Sequence, residues 1–306
     1  MDSNLDEALG HETSVIHNFK SMSYWKTGPS HDTATVVARK FHNWVKMKVI
    51  SQFASPAYKV LELAAGRGTD VHKHISLGAS TVLYVDSDEV AMDSFRRSSE
   101  PQPSCPVHFC LCDLTDREGL TALQATLSTS VDMVSLQFAL HYFLKDESSL
   151  KLIFEYIDRF LAVGGRFIFS GVDGALLHSK LPVAGGSYSL YNGPRSKPMA
   201  RYSRLYDHCT GLGNPVDVLI SSIGSSHTEF LVDYPYILDW FGQRGYKVLL
   251  DQNFADYVSD FARERPRFFL RGGDRRFASL HRITVMEKAQ PHGTDECRND
   301  VCQQSH

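Results

Sequence analysis

AYKVLELAAGRGTD, residues 57–70, decides the fold of this chain. Val60, Leu61, Leu63, Ala64 and Ala65 form a short apolar run broken by one acid, Glu62, and the run ends in Gly66-Arg67-Gly68. The pattern predicts a buried first strand, a glycine turn, and a helix beginning near Thr69-Asp70. Glycine takes positive φ without steric cost and lets a ligand approach the backbone closely. The helix after the turn points its N-terminal N–H groups toward that ligand.

The next strand, Thr81 to Val85, closes on Asp86, twenty residues after Gly66. A carboxylate at the end of the second strand, at about this spacing, is the usual partner of ribose hydroxyls in doubly wound nucleotide folds. A dinucleotide site prefers a third glycine, and that position here is Val71. Glu62 inside the first strand, ahead of Ala-x-Gly-x-Gly, points instead to S-adenosylmethionine. Glu62, Gly66, Gly68 and Asp86 are therefore candidate cofactor-binding residues, and methyltransferase is favoured over dehydrogenase.

Further along, Val90–Arg97 reads as a helix and Ser98–Pro106 as a loop with three prolines. Val107–Leu111 reads as a strand closing on Cys112-Asp113, and Gly119–Leu127 as a helix. Val131–Phe138 is the fourth strand, Asp146–Leu161 a helix with a Gly164-Gly165 stop, and Arg166–Ser170 the fifth strand. Alternating strands and helices over residues 57–170 predict an α/β, Rossmann-like fold: a mostly parallel central sheet with helices on both faces. Such folds bind ligands beyond the carboxyl ends of their strands, where Gly68, Asp86, Asp113 and Gln137 all fall. An amphipathic helix over Thr33–Phe53, with Asp32 as candidate N-cap and Lys40 and Lys46 on its polar side, makes an N-terminal helical extension. Residues 171–227, rich in Gly, Ser and Pro, read as an irregular insertion carrying the basic group Arg195, Lys197, Arg201 and Arg204. Periodicity resumes with a strand at Thr228–Val232, a helix at Tyr234–Gly242 and a strand at Tyr246–Leu250. Residues 254–272 are helical and then basic, and Leu280–Met286 is the last strand. Residues 1–30 and 289–306 are read as flexible, leaving one domain over 31–288.

At 306 residues, with 42% hydrophobic and 22% charged side chains, the chain can bury a sizeable core. A net charge of −3 argues against a generally basic coat for nucleic acid but leaves room for a local basic groove. No stretch approaches the ~20 apolar residues of a membrane span, and the polar, acidic first fourteen residues resemble neither a signal nor a transit peptide. The six cysteines form no C-x-x-C pair and read as free thiols of a reducing compartment. The fourteen histidines show no metal-ligand spacing.

Four stretches resemble the mRNA cap guanine-N7 methyltransferases, a class I S-adenosylmethionine-dependent family. FHNWVK at 41–46 looks like the family's Asn-Asn-Trp/Phe-Ile-Lys helix, and VLELAAGRGTD at 60–70 like its Val-Leu-Asp-Leu-x-x-Gly-(Lys/Arg)-Gly-Gly-Asp. SLQFALHYFL at 135–144 resembles Ser-x-Gln-Phe-x-x-His-Tyr, the most specific of the four. Residues 227–257, opening HTEFLVDY, are similar to the family's Glu-Tyr-Leu-Val block with its succeeding helix and strand. The resemblance spans about residues 35–288. It implies that Lys46 meets the carboxylate of S-adenosylmethionine, with Gly66 beside the methionine portion. Asp86 would take the ribose hydroxyls and Asp113 the adenine amino group, with Gln137 also on the cofactor. His141, Tyr142 and Glu229 would hold the cap guanine, and His281 stands where family members often carry a stacking tyrosine. Thr69 replaces a family glycine, and Phe230 a tyrosine. Guanine N7 has a lone pair and no proton at neutral pH, so alignment suffices and no catalytic acid or base is assigned.

Read without the family, Gln137-Phe138 is equally a strand end, His141-Tyr142 a packed helix start, Asp113 a helix N-cap and Glu229 a solvated acid. Two alternatives stay open: a methyltransferase for another small molecule or RNA base, and a catalytically silent capping subunit. The implied partners are 5′-capped RNA and a guanylyltransferase, triphosphatase or stimulatory capping subunit, in the nucleus for a cellular protein and the cytoplasm for a viral one.

Overall fold

Parallel strands buried on both faces are near-continuous apolar runs, and five such runs make the centre of this protein. The computed structural model describes residues 34–98, 104–193 and 197–290. Helix α1 (Val36–Phe53) precedes β1 (Lys59–Leu63), α2 (Val71–Ser76), β2 (Thr81–Asp86), α3 (Glu89–Ser98) and β3 (Val107–Leu111). Then come α4 (Arg117–Thr126), β4 (Val131–Gln137), a 3-10 turn (Leu140–Phe143), α5 (Glu147–Phe160) and β5 (Leu161–Val172). Helix α6 (Gly174–Lys180) leads to β6 (Ser187–Leu190), β7 (Ala200–Arg204), β8 (Pro215–Ile220) and β9 (Ser226–Phe230). The chain closes with α7 (Tyr234–Gly242), β10 (Tyr246–Asn253), a 3-10 turn (Phe254–Tyr257), α8 (Val258–Glu264), α9 (Gly272–Ala278) and β11 (His281–Lys288).

The main sheet has seven strands in the order β10-β11-β5-β4-β1-β2-β3. Strands β1 to β5 pair in parallel, and β11 runs antiparallel to both β5 and β10. The expected mostly parallel α/β sheet is what forms. On one face Leu61, Leu63 and Leu136 pack with Leu123 of α4, Leu150, Ile153 and Ile157 of α5, and Phe241 of α7. On the other, Val60, Val82 and Met133 pack with Phe41, Val45 and Val49 of α1, Val71 of α2, Phe95 of α3 and Phe261 of α8. Aspartates start several of these helices: Asp116, Asp146, Asp173 and Asp233 each accept a backbone N–H from the first turn, stabilising it by about 1 kcal/mol apiece.

The segment read as irregular, 171–227, is ordered: it holds α6 and three strands of a second sheet, β6-β7-β8-β9, antiparallel throughout. These strands are short and half-exposed, so they carry no long apolar run to read. Their inner face (Ala200, Tyr202, Val216, Val218) packs with Leu177 of α6, Ala38 of α1 and Phe277 of α9. The two sheets are tied where β5 ends. Asp173 bridges to Val232, Gly174 N donates to Val232 O, and Arg282 spans Asp173 (3.0 Å) and Asp251 (2.7 Å).

Boundaries differ in small ways. Helix α1 starts at Val36, after Thr35, and the Asp32 cap lies outside the described residues, as do the ends 1–30 and 291–306, read as flexible, and Arg195. Helix α2 starts at Val71 and is one and a half turns long. Cys105, Cys110, Cys112 and Cys209 are free thiols, while Cys297 and Cys302 lie outside the described residues. No described helix is long and apolar enough to cross a membrane.

Gly68 holds the turn after β1 in shape. Its φ is +69°, and a Cβ there would stand 2.1 Å from the Phe95 ring. Gly68→Ala is therefore expected to destabilise the fold by about 2 kcal/mol or more, from left-handed strain plus overpacking. Urea unfolding measures this, and a loss under about 0.5 kcal/mol would contradict the reading of the turn.

Candidate active site

At the carboxyl edge of the main sheet two neighbouring strands end in the same unusual way. Ala64, after β1, has φ +51°, and Phe138, after β4, has φ +56°. Left-handed backbone is uncommon for non-glycine residues, and for a bulky phenylalanine it is an outlier that the surrounding structure must enforce. The glycine turn follows Ala64 and reaches across to β2. Gly66 N donates to Asp86 Oδ2 (2.6 Å), Asp86 Oδ1 accepts from Asp88 N (2.7 Å), and the Tyr84 hydroxyl donates to Gly66 O. Asp86 is thus locked against the turn at the end of β2, and burial raises its carboxyl above the ordinary range despite those N–H donors.

Lys46 is not on the polar side of α1. It is buried, and its Nζ meets Asp70 Oδ2 at 2.6 Å, while Lys73 Nζ takes Asp70 Oδ1 at 2.7 Å and Asn43 Oδ1 at 3.1 Å. The stripe Phe41, His42, Val45, Lys46, Val49 and Ile50 faces inward, and the lysine sits within it. Burial lowers the Lys46 ammonium pKa more than Asp70 raises it. Burial also pushes the Asp70 carboxyl up, but the two ammonium groups outweigh it and hold the carboxyl well below its usual range. Two ammonium groups share one carboxylate, so the cluster carries a surplus positive charge beside the glycine turn. An anionic group is the natural complement.

Glu62 and Gln137 are engaged inside the protein. Glu62 Oε2 pairs His74 Nε2 at 3.0 Å, and His74 Nδ1 contacts the Tyr58 hydroxyl at 2.8 Å. Gln137 gives both amide hydrogens away, to Ser135 Oγ (3.1 Å) and Ile168 O (3.3 Å), and accepts from Ser170 Oγ (2.7 Å). Both side chains stiffen the strand ends from within the protein. Asp113 lies at the end of β3 and holds Thr115 N (2.8 Å) and Oγ1 (2.7 Å); the cap of α4 is Asp116 instead.

A small cavity, of about 20 Å3, lies between β5, α6 and the small sheet. His141, Glu229 and Tyr202 line it together with Val172, Val216 and Val218. Glu229, a solvated acid on sequence alone, is buried, and its Oε2 stands 3.5 Å from His141 Nε2. Among the described residues, His141 Nε2 and the Tyr202 hydroxyl are buried without a hydrogen-bond partner. Buried polar atoms left unpaired are rare, and here two of them line one cavity with a carboxylate. Burial brings His141 down to about 3, so it is neutral. The Tyr142 ring stands edge-on to His141, centroids 4.1 Å apart. Sequence reasoning missed Tyr202. The signal was the alternation Ala200-Arg201-Tyr202-Ser203-Arg204, a half-buried strand that the surrounding glycines and serines obscured.

His281 does not line this cavity. It packs in a buried nest with His42 (4.5 Å), Phe138 (5.4 Å) and Phe277 (4.7 Å), its Nδ1 2.7 Å from Phe277 O. Of the basic group in the insertion, Arg201 and Lys197 are exposed, whereas Arg204 folds back onto Tyr206 and Pro182 O. Among the described residues, no set of three His, Cys, Asp or Glu side chains is placed to hold a metal.

Residues 6–265 match the model of the mRNA (guanine-N(7))-methyltransferase domain. The chain belongs to that family. A probable mRNA-capping enzyme of Acanthamoeba polyphaga mimivirus is 24% identical over 257 residues, 73% of this chain and 22% of the viral protein. The mRNA cap guanine-N(7) methyltransferase of Drosophila melanogaster is 24% identical over 314 residues, 94% of this chain and 67% of the fly protein. The chain thus spans about a fifth of the viral relative's length and two thirds of the fly relative's. Among solved structures, the CcbJ methyltransferase of Streptomyces caelestis has a TM-score of 0.53 at 19% identity, covering 81% of this chain and 90% of that one, a likeness of fold. In this family the donor set just described fits S-adenosylmethionine. Surplus ammonium charge suits its carboxylate, the glycine turn gives backbone access, and Asp86 and Asp113 can accept from hydroxyl and amino groups.

The buried neutral histidines set a pH dependence of stability. Burial holds His141 at about 3 and His281 at about 4, and it lowers His42. Unfolded histidines protonate near 6.5, so below that pH the unfolded chain binds more protons and stability falls, down to the folded values. Each such histidine removes about 1.4 kcal/mol per pH unit across that window. The urea midpoint is expected to drop from about pH 7.5 to about 5.5, and His141→Gln to shrink the drop. Equal midpoints at the two pH values would overturn the assignment.

Tyr202→Phe separates recognition from stability. Removing a hydroxyl with no internal partner should leave stability unchanged or raise it by up to about 1 kcal/mol. The same change should raise KM for the acceptor severalfold. A variant that is clearly less stable, with KM unchanged, would place the hydroxyl outside the site.

Proposed function

We propose that this chain transfers the methyl group of S-adenosylmethionine to N7 of the guanosine that caps 5′ ends of RNA. The observation that carries the reading is the cavity beside the carboxyl edge of the main sheet, where Glu229 joins neutral His141 and the Tyr202 hydroxyl, two buried groups with no hydrogen-bond partner among the described residues. A carboxylate at Glu229 accepts from guanine N1–H and N2–H as a charge-assisted pair. Neutral His141 can give or take one hydrogen bond at Nε2, and it adds no positive charge. That neutrality matters, because the guanine becomes a cation as N7 is methylated. Glu229 stabilises the developing charge, and the Tyr142 ring adds a favourable aromatic partner for it.

On the donor side, Lys46 and Lys73 would take the cofactor carboxylate, Gly66 the methionine portion, Asp86 the ribose hydroxyls and Asp113 the adenine amino group. Bound S-adenosylmethionine supplies the activated methyl and leaves as S-adenosylhomocysteine. N7 carries no proton to remove, so the residues orient and exclude water, and none is required as an acid or base. On this reading the acceptor is 5′-capped RNA, which the names of the capping relatives support, in the nucleus or, for a virus, the cytoplasm, with other capping enzymes as neighbours.

The test compares methyl transfer to GpppA-capped RNA, pppA-ended RNA and free GTP, with the product position read by nuclease digestion. Transfer confined to the cap guanine supports the reading; transfer elsewhere, or none, overturns it. Glu229→Gln keeps the shape and loses the charge-assisted pair, about 1.5–3 kcal/mol, so transfer to capped substrate should fall at least tenfold while S-adenosylhomocysteine binds normally. Near-native rates would show that the guanine pocket lies elsewhere.

A further inference from the structure

We propose that residues 263–276, together with the groove they close against α1 and α2, bind single-stranded RNA downstream of the cap. This inference rests on the cap-methylating reading above. RERPRFFLRGGDRR places six of the chain's 32 lysines and arginines within fourteen residues of a protein whose net charge is −3. All six arginines are exposed. The two acids of the stretch have partners within the chain, Asp274 buried and Glu264 at the surface. Asp274 is buried against Asn192 Nδ2 (3.0 Å) and Arg271 N (3.0 Å), and Glu264 accepts from Lys48 (3.0 Å) and Trp44 Nε1 (3.2 Å). Among the described residues, no ion pair or side-chain hydrogen bond engages the guanidinium groups of Arg265 and Arg267. Phe269, beside them, is 73% exposed.

The stretch borders an open groove of about 400 Å3 lined by Lys40, Asn43, Trp44, His72, Arg265 and Phe268, among others. Lys40 Nζ sits 4.1 Å from the centre of the Phe268 ring. Cations interleaved with aromatic faces suit a ligand that offers phosphates and stackable bases in alternation, the chemistry of single-stranded nucleic acid. Trp44 and Phe268 lie within a concavity that a flat lipid surface does not enter. The groove also adjoins the donor site. Lys73 lines it while bonding Asp70, and Lys40 lies six residues, about 9 Å along α1, from Lys46.

The test uses the full chain with two acceptors, the dinucleotide GpppA and a capped RNA of about 20 nucleotides, and measures binding of uncapped fluorescent RNA by anisotropy. Arg265→Glu/Arg267→Glu should raise KM for the capped RNA about tenfold and flatten the salt dependence of RNA binding, by about 0.7 in slope for each phosphate no longer neutralised. Phe269→Ala should raise the same KM about fivefold, the worth of one stacked base. Both variants should keep kcat/KM on GpppA within about twofold, which also reports that they fold. Unchanged KM on capped RNA, or equal loss on both acceptors, overturns the proposal. So does a loss of binding to phosphatidylserine vesicles with RNA binding intact. A wild-type chain inactive on GpppA would sink the cap reading, and the anisotropy arm would still judge the groove.

Discussion

Everything at the donor end of this protein depends on the buried contact between Lys46 and Asp70. Charges inside a protein are tolerated only when paired and hydrogen-bonded. Here the pairing crosses from α1 to the residue just before α2, so it fixes the helical extension against the glycine turn. Lys73 closes the other carboxylate oxygen. The same helix packs Phe41, Val45 and Val49 on the main sheet and Ala38 against the small one. One ionic contact therefore registers a helix that both sheets use.

The proposed acceptor end follows a different physical logic. Its polar atoms are left unsatisfied where the donor end satisfies nearly every one. His141 Nε2 and the Tyr202 hydroxyl are desolvated without compensation inside the chain, and burial raises the Tyr202 hydroxyl further, with Glu229 adding to it. A fold gives up stability by leaving such groups bare, and a ligand that pairs them recovers it. The left-handed residues Ala64 and Phe138 belong to the same pattern: local strain at strand ends, held by well-packed sheet on every side.

The main sheet was legible because its strands are buried on both faces and read as apolar runs ending in Gly68, Asp86, Asp113 and Gln137. Strand order and the antiparallel β11 were not, since pairing is a long-range matter. The small sheet escaped notice for a local reason: in β6 and β7 half the side chains face solvent, and the strands carry serine, tyrosine and arginine in place of long aliphatic runs. Lys46 stands out by its motif but was placed on the wrong face, because a lysine in a helix is ordinarily a surface residue and its partner Asp70 lies 24 positions away. Glu229 was visible only through its likeness to a family block. Burial, the property that gives it chemical weight, comes from β8, β9 and the 3-10 turn meeting in space.

The division of labour between the sheets has an evolutionary consequence. The proposed donor contacts gather at the carboxyl edge of the large sheet and on the helices packed there, which cannot shift without unseating the core. Tyr202 and Glu229 ride on β7 and β9, strands of an insertion between β5 and β10. An insertion tied to the large sheet at Asp173, Val232 and Arg282, with its own apolar core, can drift in sequence while the nucleotide machinery stays fixed. On the proposed cap-methylating reading, the choice of acceptor is thus a replaceable part, and descendants of such a scaffold can change what they modify without relearning how to hold the methyl donor.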